Sequence, residues 1–126
     1  MVGDGAGGRR WVPVAVVVAL LAACSGSGTS AGADLFGERS LGGLRGCSTC
    51  HTVTDRPSVG GPSLVGIGSQ AGDRVDGLGA EAYLRQSIVA PAAWFADGWG
   101  EGMPAYGDAL TAEQIDDLVD YLLALR

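Results

Sequence analysis

Two cysteines and a histidine in residues 47–51 are the side chains whose types and spacing best suit a specific chemistry. Cys47 and Cys50 stand three positions apart, and His51 follows directly. This order is typical of covalent haem attachment, in which each thiol adds to one porphyrin vinyl group and the histidine binds the iron. The motif therefore predicts one covalently bound haem c.

Two other chemistries use a pair of cysteines at this spacing. A redox dithiol needs both thiols, but it leaves the adjoining His51 without a role. A structural zinc site needs four ligands, whereas the chain has three Cys and one His, and Cys24 belongs to a different motif. Haem attachment accounts for all three residues of the motif.

The composition restricts the second axial ligand of the iron. His51 is the only histidine, which excludes bis-histidine ligation by this chain alone, and Met103 is the only methionine apart from Met1. A thioether ligand raises the reduction potential of haem iron. We expect His51 and Met103 to bind the metal; the alternatives are an unusual ligand, an open sixth position, and Met103 as a filler of apolar space.

The N-terminal residues have the features of a secretory signal. Arg9 and Arg10 precede an apolar run over residues 11–23. This run is too short for a membrane-spanning helix, which needs about 20 residues, and it has the length of a signal-peptide core. Residues 1–23 are therefore expected to be removed by export.

The signal ends in Leu-Ala-Ala-Cys, which resembles the lipobox of bacterial lipoproteins. We expect Cys24 to become the acylated N-terminus, although an ordinary cleavage site with a free thiol is the alternative. Residues 24–32 are rich in Gly and Ser, and they are predicted to form the lipid-anchored cysteine and a flexible linker. The folded domain is predicted to cover residues 33–126.

The charge of the chain is acidic, with a formal net charge of −6. Without the signal, six arginines and thirteen acidic side chains remain, giving −7, and there is no lysine. Such a surface is poorly suited to nucleic acid, whose phosphates need cationic partners. The charge either favours a basic docking surface on another protein or serves solubility.

Helical segments dominate the predicted secondary structure. Helices are expected over residues 33–40, 81–89 and 111–125, with loops over residues 54–79 and 92–107. No segment shows the alternation of a strand.

The last helix has the strongest pattern. Thr111 and Gln114 form a capping box at its start. Five apolar residues follow at the spacing of one helix face: Ile115, Leu118, Val119, Leu122 and Leu123.

Taken together, these residues resemble the class I cytochrome c family. Residues 61–64, Gly-Pro-Ser-Leu, match the segment whose proline carbonyl accepts the proton of the haem histidine. The resemblance therefore implies Pro62 and Leu64 as further cofactor-binding residues. Residues 83–91 and 102–104 are similar to the cytochrome domain fused to subunit II of some haem-copper oxidases.

The same resemblance implies a pair of packed terminal helices. Leu118 and Tyr121 match the positions that pack on the N-terminal helix, where Gly32 and Phe36 are the expected partners. Phe36, however, lies further from Cys47 than is usual in the family. Either residues 41–46 are an insertion, or Leu41 takes the packing role.

The resemblance implies an all-α fold, with about three to five helices around one haem c, and single-electron transfer rather than catalysis. We expect a lipid-anchored respiratory carrier on the extracytoplasmic face of a bacterial membrane. Its partners would be an electron donor and acceptor such as a quinol-oxidising complex and a terminal oxidase. A subunit of a larger oxidase or reductase is the alternative; a haem peroxidase fits less well, since it needs an open iron site and a distal acid–base residue.

Three aromatic residues near Met103 have two open interpretations. Trp94, Trp99 and Tyr106 either line the haem pocket and donate hydrogen bonds to a propionate, or serve as apolar packing.

Overall fold

Helices and one short hairpin form the part of the chain that the structure describes. The computed structural model describes Met1, Gly3 and residues 27–126, so the predicted signal and Cys24 lie outside the described residues. The elements are α1 (Ser27–Gly37), β1 (Ser40–Leu41), β2 (Leu44–Arg45), α2 (Ile67–Gln70), α3 (Ala80–Val89) and α4 (Ala112–Ala124). The predicted all-α fold is confirmed, since the only strands within these residues are β1 and β2, which have two residues each and form one hairpin.

The predicted capping box begins α4. The backbone N–H of Gln114 donates to the Thr111 hydroxyl at 3.2 Å, and the Gln114 side chain accepts from the Thr111 N–H at 3.0 Å. Both groups satisfy donors that a helix start would otherwise leave unpaired. Four residues of the predicted apolar stripe are buried, whereas Leu123 is only partly buried.

The terminal helices pack at very close range. A Cβ atom added to Gly32 of α1 would overlap the carbonyl oxygen of Asp117 and lie 2.6 Å from the Cβ of Tyr121. One turn further on, the rings of Phe36 and Tyr121 lie 5.7 Å apart between centroids. The expected pairing of Gly32 and Phe36 with α4 is thus present.

The start of α1 differs from the prediction. The helix begins at Ser27, so the prediction of a flexible linker over residues 24–32 is wrong for residues 27–32. Its glycines serve contact rather than flexibility: a Cβ at Gly28 would lie 3.1 Å from a carboxylate oxygen of Asp120 and 3.3 Å from one of Asp117. Negative charge near a helix N-terminus is stabilising.

The hairpin accounts for the long spacing between Phe36 and Cys47. Gly42 and Gly43 at its tip have φ angles of 59° and 82°, as the two central residues of a type I′ turn require. Phe36 keeps its contact with α4, so Leu41 does not replace it in the packing of the terminal helices. Leu41 is nevertheless 2% exposed and belongs to the core.

A short helix interrupts the predicted loop over residues 54–79. This helix, α2, rests on the end of α4, where the N–H of Gly68 donates to the carbonyl of Leu125 at 2.8 Å. A Cβ at Gly68 would overlap the carbonyl oxygen of Leu123. Gly68, which favours a loop in the sequence, thus reflects close packing of α2 on α4.

The core joins all of these elements around α4. Its buried apolar residues are Phe36, Leu41, Ile67, Ala71, Tyr83, Leu84, Ile88, Tyr106, Leu110, Ile115, Leu118, Val119 and Leu122. Among the residues that the structure describes, no helix has both the length and the apolar character needed to cross a bilayer.

The Gly32 contact gives a stability prediction. Gly32→Ala forces α1 away from the α4 backbone, so the free energy of unfolding should fall by about 1–3 kcal/mol in guanidinium titrations of the holoprotein. Gly37→Ala is the matched control, because nothing lies within 4 Å of its added Cβ. Equal effects of the two substitutions would contradict the packing argument.

Candidate haem site

One cavity gathers the residues that the sequence singles out. Its volume is about 380 Å³, and it opens between the haem motif, α3, α4 and the loop before α4. All six predicted cofactor residues line it: Cys47, Cys50, His51, Pro62, Leu64 and Met103. Segments far apart in the chain therefore converge on one space.

The haem motif folds as a short 3-10 turn followed by the histidine. The turn covers Cys47–Thr49, and the backbone N–H of His51 donates to the carbonyl of Cys47 at 2.9 Å. This turn places both cysteines and His51 along the cavity wall.

A backbone contact fixes the tautomer of His51. The ring Nδ1 lies 2.8 Å from the carbonyl oxygen of Pro62. A carbonyl can only accept a hydrogen bond, so Nδ1 carries the proton and Nε2 keeps its lone pair. Such a contact orients a ligating histidine. Nε2 is thus the ring nitrogen available to bind iron.

The residue before Pro62 supports the same ring. A Cβ at Gly61 would lie 2.6 Å from Cε1 and 2.9 Å from Nδ1 of His51. The histidine therefore packs directly on the Gly61 backbone, at a distance that any side chain would prevent.

The first attachment cysteine is in an apolar environment. Burial raises the pKa of the Cys47 thiol to about 11, because desolvation disfavours the charged thiolate. A thioether carries no charge, so the sulfur of an attached haem can occupy this position without that penalty.

A loop that carries Met103 forms another part of the cavity wall. The side chain of Met103 is half-buried and packs against the core. Gly102 precedes it with a φ of 146°, which L-amino acids rarely adopt. Glycine at this position therefore allows the chain to turn into the cavity.

Tyr106 anchors this loop to the rest of the fold. Its N–H donates to the carbonyl of Ile88 at 3.0 Å, and its hydroxyl donates to the carbonyl of Arg45 in β2. Burial raises the pKa of Tyr106 to about 12. The hydroxyl thus already donates its hydrogen bond within the protein, which favours a packing role over propionate binding for this residue.

The two tryptophans of the loop also line the cavity. Trp94 meets the ring of Tyr83 edge-on, with centroids 5.4 Å apart. Trp99 is 43% exposed at the rim, as is Phe95 at 40%.

Several cavity residues were not among the predicted site residues. They are Phe36, Arg45, Leu84, Ile88, Phe95, Leu118 and Leu122. Helix periodicity places Leu118 and Leu122 on a buried face but cannot show that this face borders a cofactor. Arg45 and Phe95 carry no signal in the sequence.

The cavity has the properties that a haem c requires. Two cysteines offer the thioether links, an imidazole is oriented by its backbone partner, and apolar side chains cover much of the wall. Arg45, Ser87 and Glu101 are polar exceptions in that wall, so a flat apolar ring meets mostly apolar surface there. The residues present therefore fit the group.

The Gly61 contact gives a second prediction. Gly61→Ala pushes on the His51 ring, so the free energy of unfolding of the holoprotein should fall by about 1–3 kcal/mol, and the hyperfine-shifted histidine resonances of the ferric form should move. Gly79→Ala is the control, since its Cβ meets nothing within 4 Å. Unmoved resonances would contradict the proposed ring contact.

The family to which this site belongs follows from comparison with known proteins. A model of the family described as cytochrome c matches residues 29–126, which is more than half of the chain. No significant match is found among curated proteins. Members of that family bind haem c covalently, and Cys47, Cys50 and His51 supply its attachment motif. The chain belongs to the cytochrome c family and carries out haem-based electron transfer.

Proposed function

We propose that this cytochrome is a membrane-tethered, single-electron carrier of a respiratory chain, acting on the extracytoplasmic face of a bacterial membrane. The observation that carries the electron-transfer part is the single cavity in which Cys47, Cys50, His51 and Met103 meet. The lipobox at Cys24 supports the tether. Two or more acyl chains hold a protein firmly at a bilayer, whereas one chain binds only marginally.

Met103 is the sixth ligand in this proposal. It lines the same cavity as His51, its loop is anchored by Tyr106, and it is the only methionine of the folded domain. Haem c supplies the one-electron ferric/ferrous couple when it is bound. His51 and Met103 would hold the iron of the bound haem, and the apolar cavity wall would exclude water and lower the local dielectric, so that little rearrangement would accompany the electron.

The partners in this proposal are a respiratory electron donor and an acceptor, such as a quinol-oxidising complex and a terminal oxidase. The acidic charge of the domain favours basic docking surfaces on them. Purification in mild detergent distinguishes a free carrier from a subunit of a larger complex. Co-purification of a stoichiometric complex would favour the subunit.

Met103 gives the third prediction. Met103→Ala removes the soft sulfur ligand that favours ferrous iron. We expect loss of the ferric sulfur-to-iron absorption band and a fall in potential on the order of 0.1 V, a fraction of the roughly 0.8 V range set by axial ligands.

The control for this variant is Val65→Ala, since Val65 is 41% exposed and does not line the cavity. Its spectrum and potential should match those of the parent protein. An unchanged absorption band in Met103→Ala would reject the methionine as ligand.

Cys24 gives the fourth prediction. Cys24→Ala removes the residue that carries the acyl chains, so the haem should move from the membrane fraction to the soluble fraction, as followed by reduced-minus-oxidised spectra. Mass spectrometry of the parent protein should show acylated Cys24 as the first residue. A haem that stays in the membrane fraction of the variant would argue against the lipid anchor.

A further inference from the structure

The two ends of α1 lie in different surroundings. At its C-terminal end, Phe36 lines the haem cavity, and the carbonyl of Gly37 accepts a hydrogen bond from the Ser48 hydroxyl at 3.3 Å. At its N-terminal end, Gly28 lies beside the carboxylates of Asp117 and Asp120 in α4. The helix has 11 residues, a length of roughly 16 Å.

The body of α4 separates the start of α1 from the cavity. Leu118 and Leu122 line the cavity, and Leu118 is 1% exposed. Asp117 and Asp120 point away from these leucines, because successive residues of a helix are rotated by about 100°. Gly28 therefore lies across α4 from the haem site, about one helix diameter or 10 Å away.

The connection between the lipid anchor and the domain is short. Only Ser25 and Gly26 stand between Cys24 and Ser27, the first residue of α1. Three residue steps span roughly 10 Å when fully extended. A domain of about 100 residues has a radius of gyration of about 13 Å, so this connection cannot pass around it to the far side.

We propose that lipid attachment at Cys24 turns the start of α1 and the outer face of α4 toward the bilayer, so that the haem cavity opens away from it. This inference rests on the proposed membrane tether. Redox partners must then reach the haem from the aqueous side, over the rim where Phe95 and Trp99 are exposed.

The charges of α4 provide no attraction that would draw this face toward lipid. Glu113 and Asp120 are exposed on the outer face, and Asp117 lies between them. Anionic headgroups repel carboxylates, so this face gains no second attachment to lipid. The length of the connection alone then sets which side faces the membrane.

The experiment compares two attachment points in the holoprotein, exported behind a signal in which residues 21–23 of the lipobox are replaced, so that Cys24 is kept as a free thiol. Cys47 and Cys50 are consumed as thioethers, so Cys24 is the only free thiol and accepts a maleimide phospholipid. The comparison protein carries Cys24→Ala and Val59→Cys. Val59 is 89% exposed and adjoins Gly60, whose added Cβ would lie 3.2 Å from the Cys50 sulfur.

Both proteins are bound to phosphatidylcholine vesicles that contain a headgroup fluorophore, and quenching of that fluorophore by the haem is measured. We expect about twofold weaker quenching for attachment at Cys24, because an extra helix diameter of about 10 Å lies between lipid and haem. A Gly-Ser insert of twenty residues after Cys24, which spans about 25 Å, should raise the quenching toward the Val59→Cys value.

Equal quenching from the two attachment points would overturn the proposed orientation. Failure of the proposed tether is a separate outcome, because the maleimide link places lipid on Cys24 whether or not the cell does so. Mass spectrometry of the native protein reports on the tether alone.

Discussion

Close backbone contact with α4 is the constraint on which the rest of the domain depends. Gly32 of α1 and Gly68 of α2 both rest against carbonyl oxygens of α4, at Asp117 and Leu123, with no room for a side chain. These contacts hold the α4 backbone against both helices. Leu118 and Leu122 of α4 form part of the cavity wall. The haem site is thus built on a helix whose position is fixed by these two backbone contacts.

The position of His51 depends on a similarly close contact with a glycine backbone. His51 packs on the Gly61 backbone and donates to the carbonyl of Pro62, so one dipeptide sets both the position of the ring and its tautomer. The proline cannot donate a backbone hydrogen bond of its own, but its carbonyl is fully available. Two residues without polar side chains thereby prepare a metal ligand.

Features that depend on local sequence, or on contacts that the family resemblance implies, could be predicted, and the remaining tertiary contacts could not. The haem motif and the capping box of Thr111 are local, and both were found from spacing alone. The sequence predicts a linker at the start of α1 and a loop at α2, because glycine is a poor helix former. Gly28 contacts the carboxylates of Asp117 and Asp120, and Gly68 contacts the carbonyl of Leu123. These partners lie far away in the chain, so no window of sequence reveals them.

The hydrogen bond from Tyr106 to Arg45 joins residues 61 positions apart in the chain. The entropy cost of closing so long a loop must be met before the bond forms, whereas α3 and the hairpin involve only near neighbours. We therefore expect the methionine loop to assemble onto the hairpin after α3 and the hairpin have formed. The turn at Cys47–Thr49 can therefore form before the loop that carries Met103 completes the cavity.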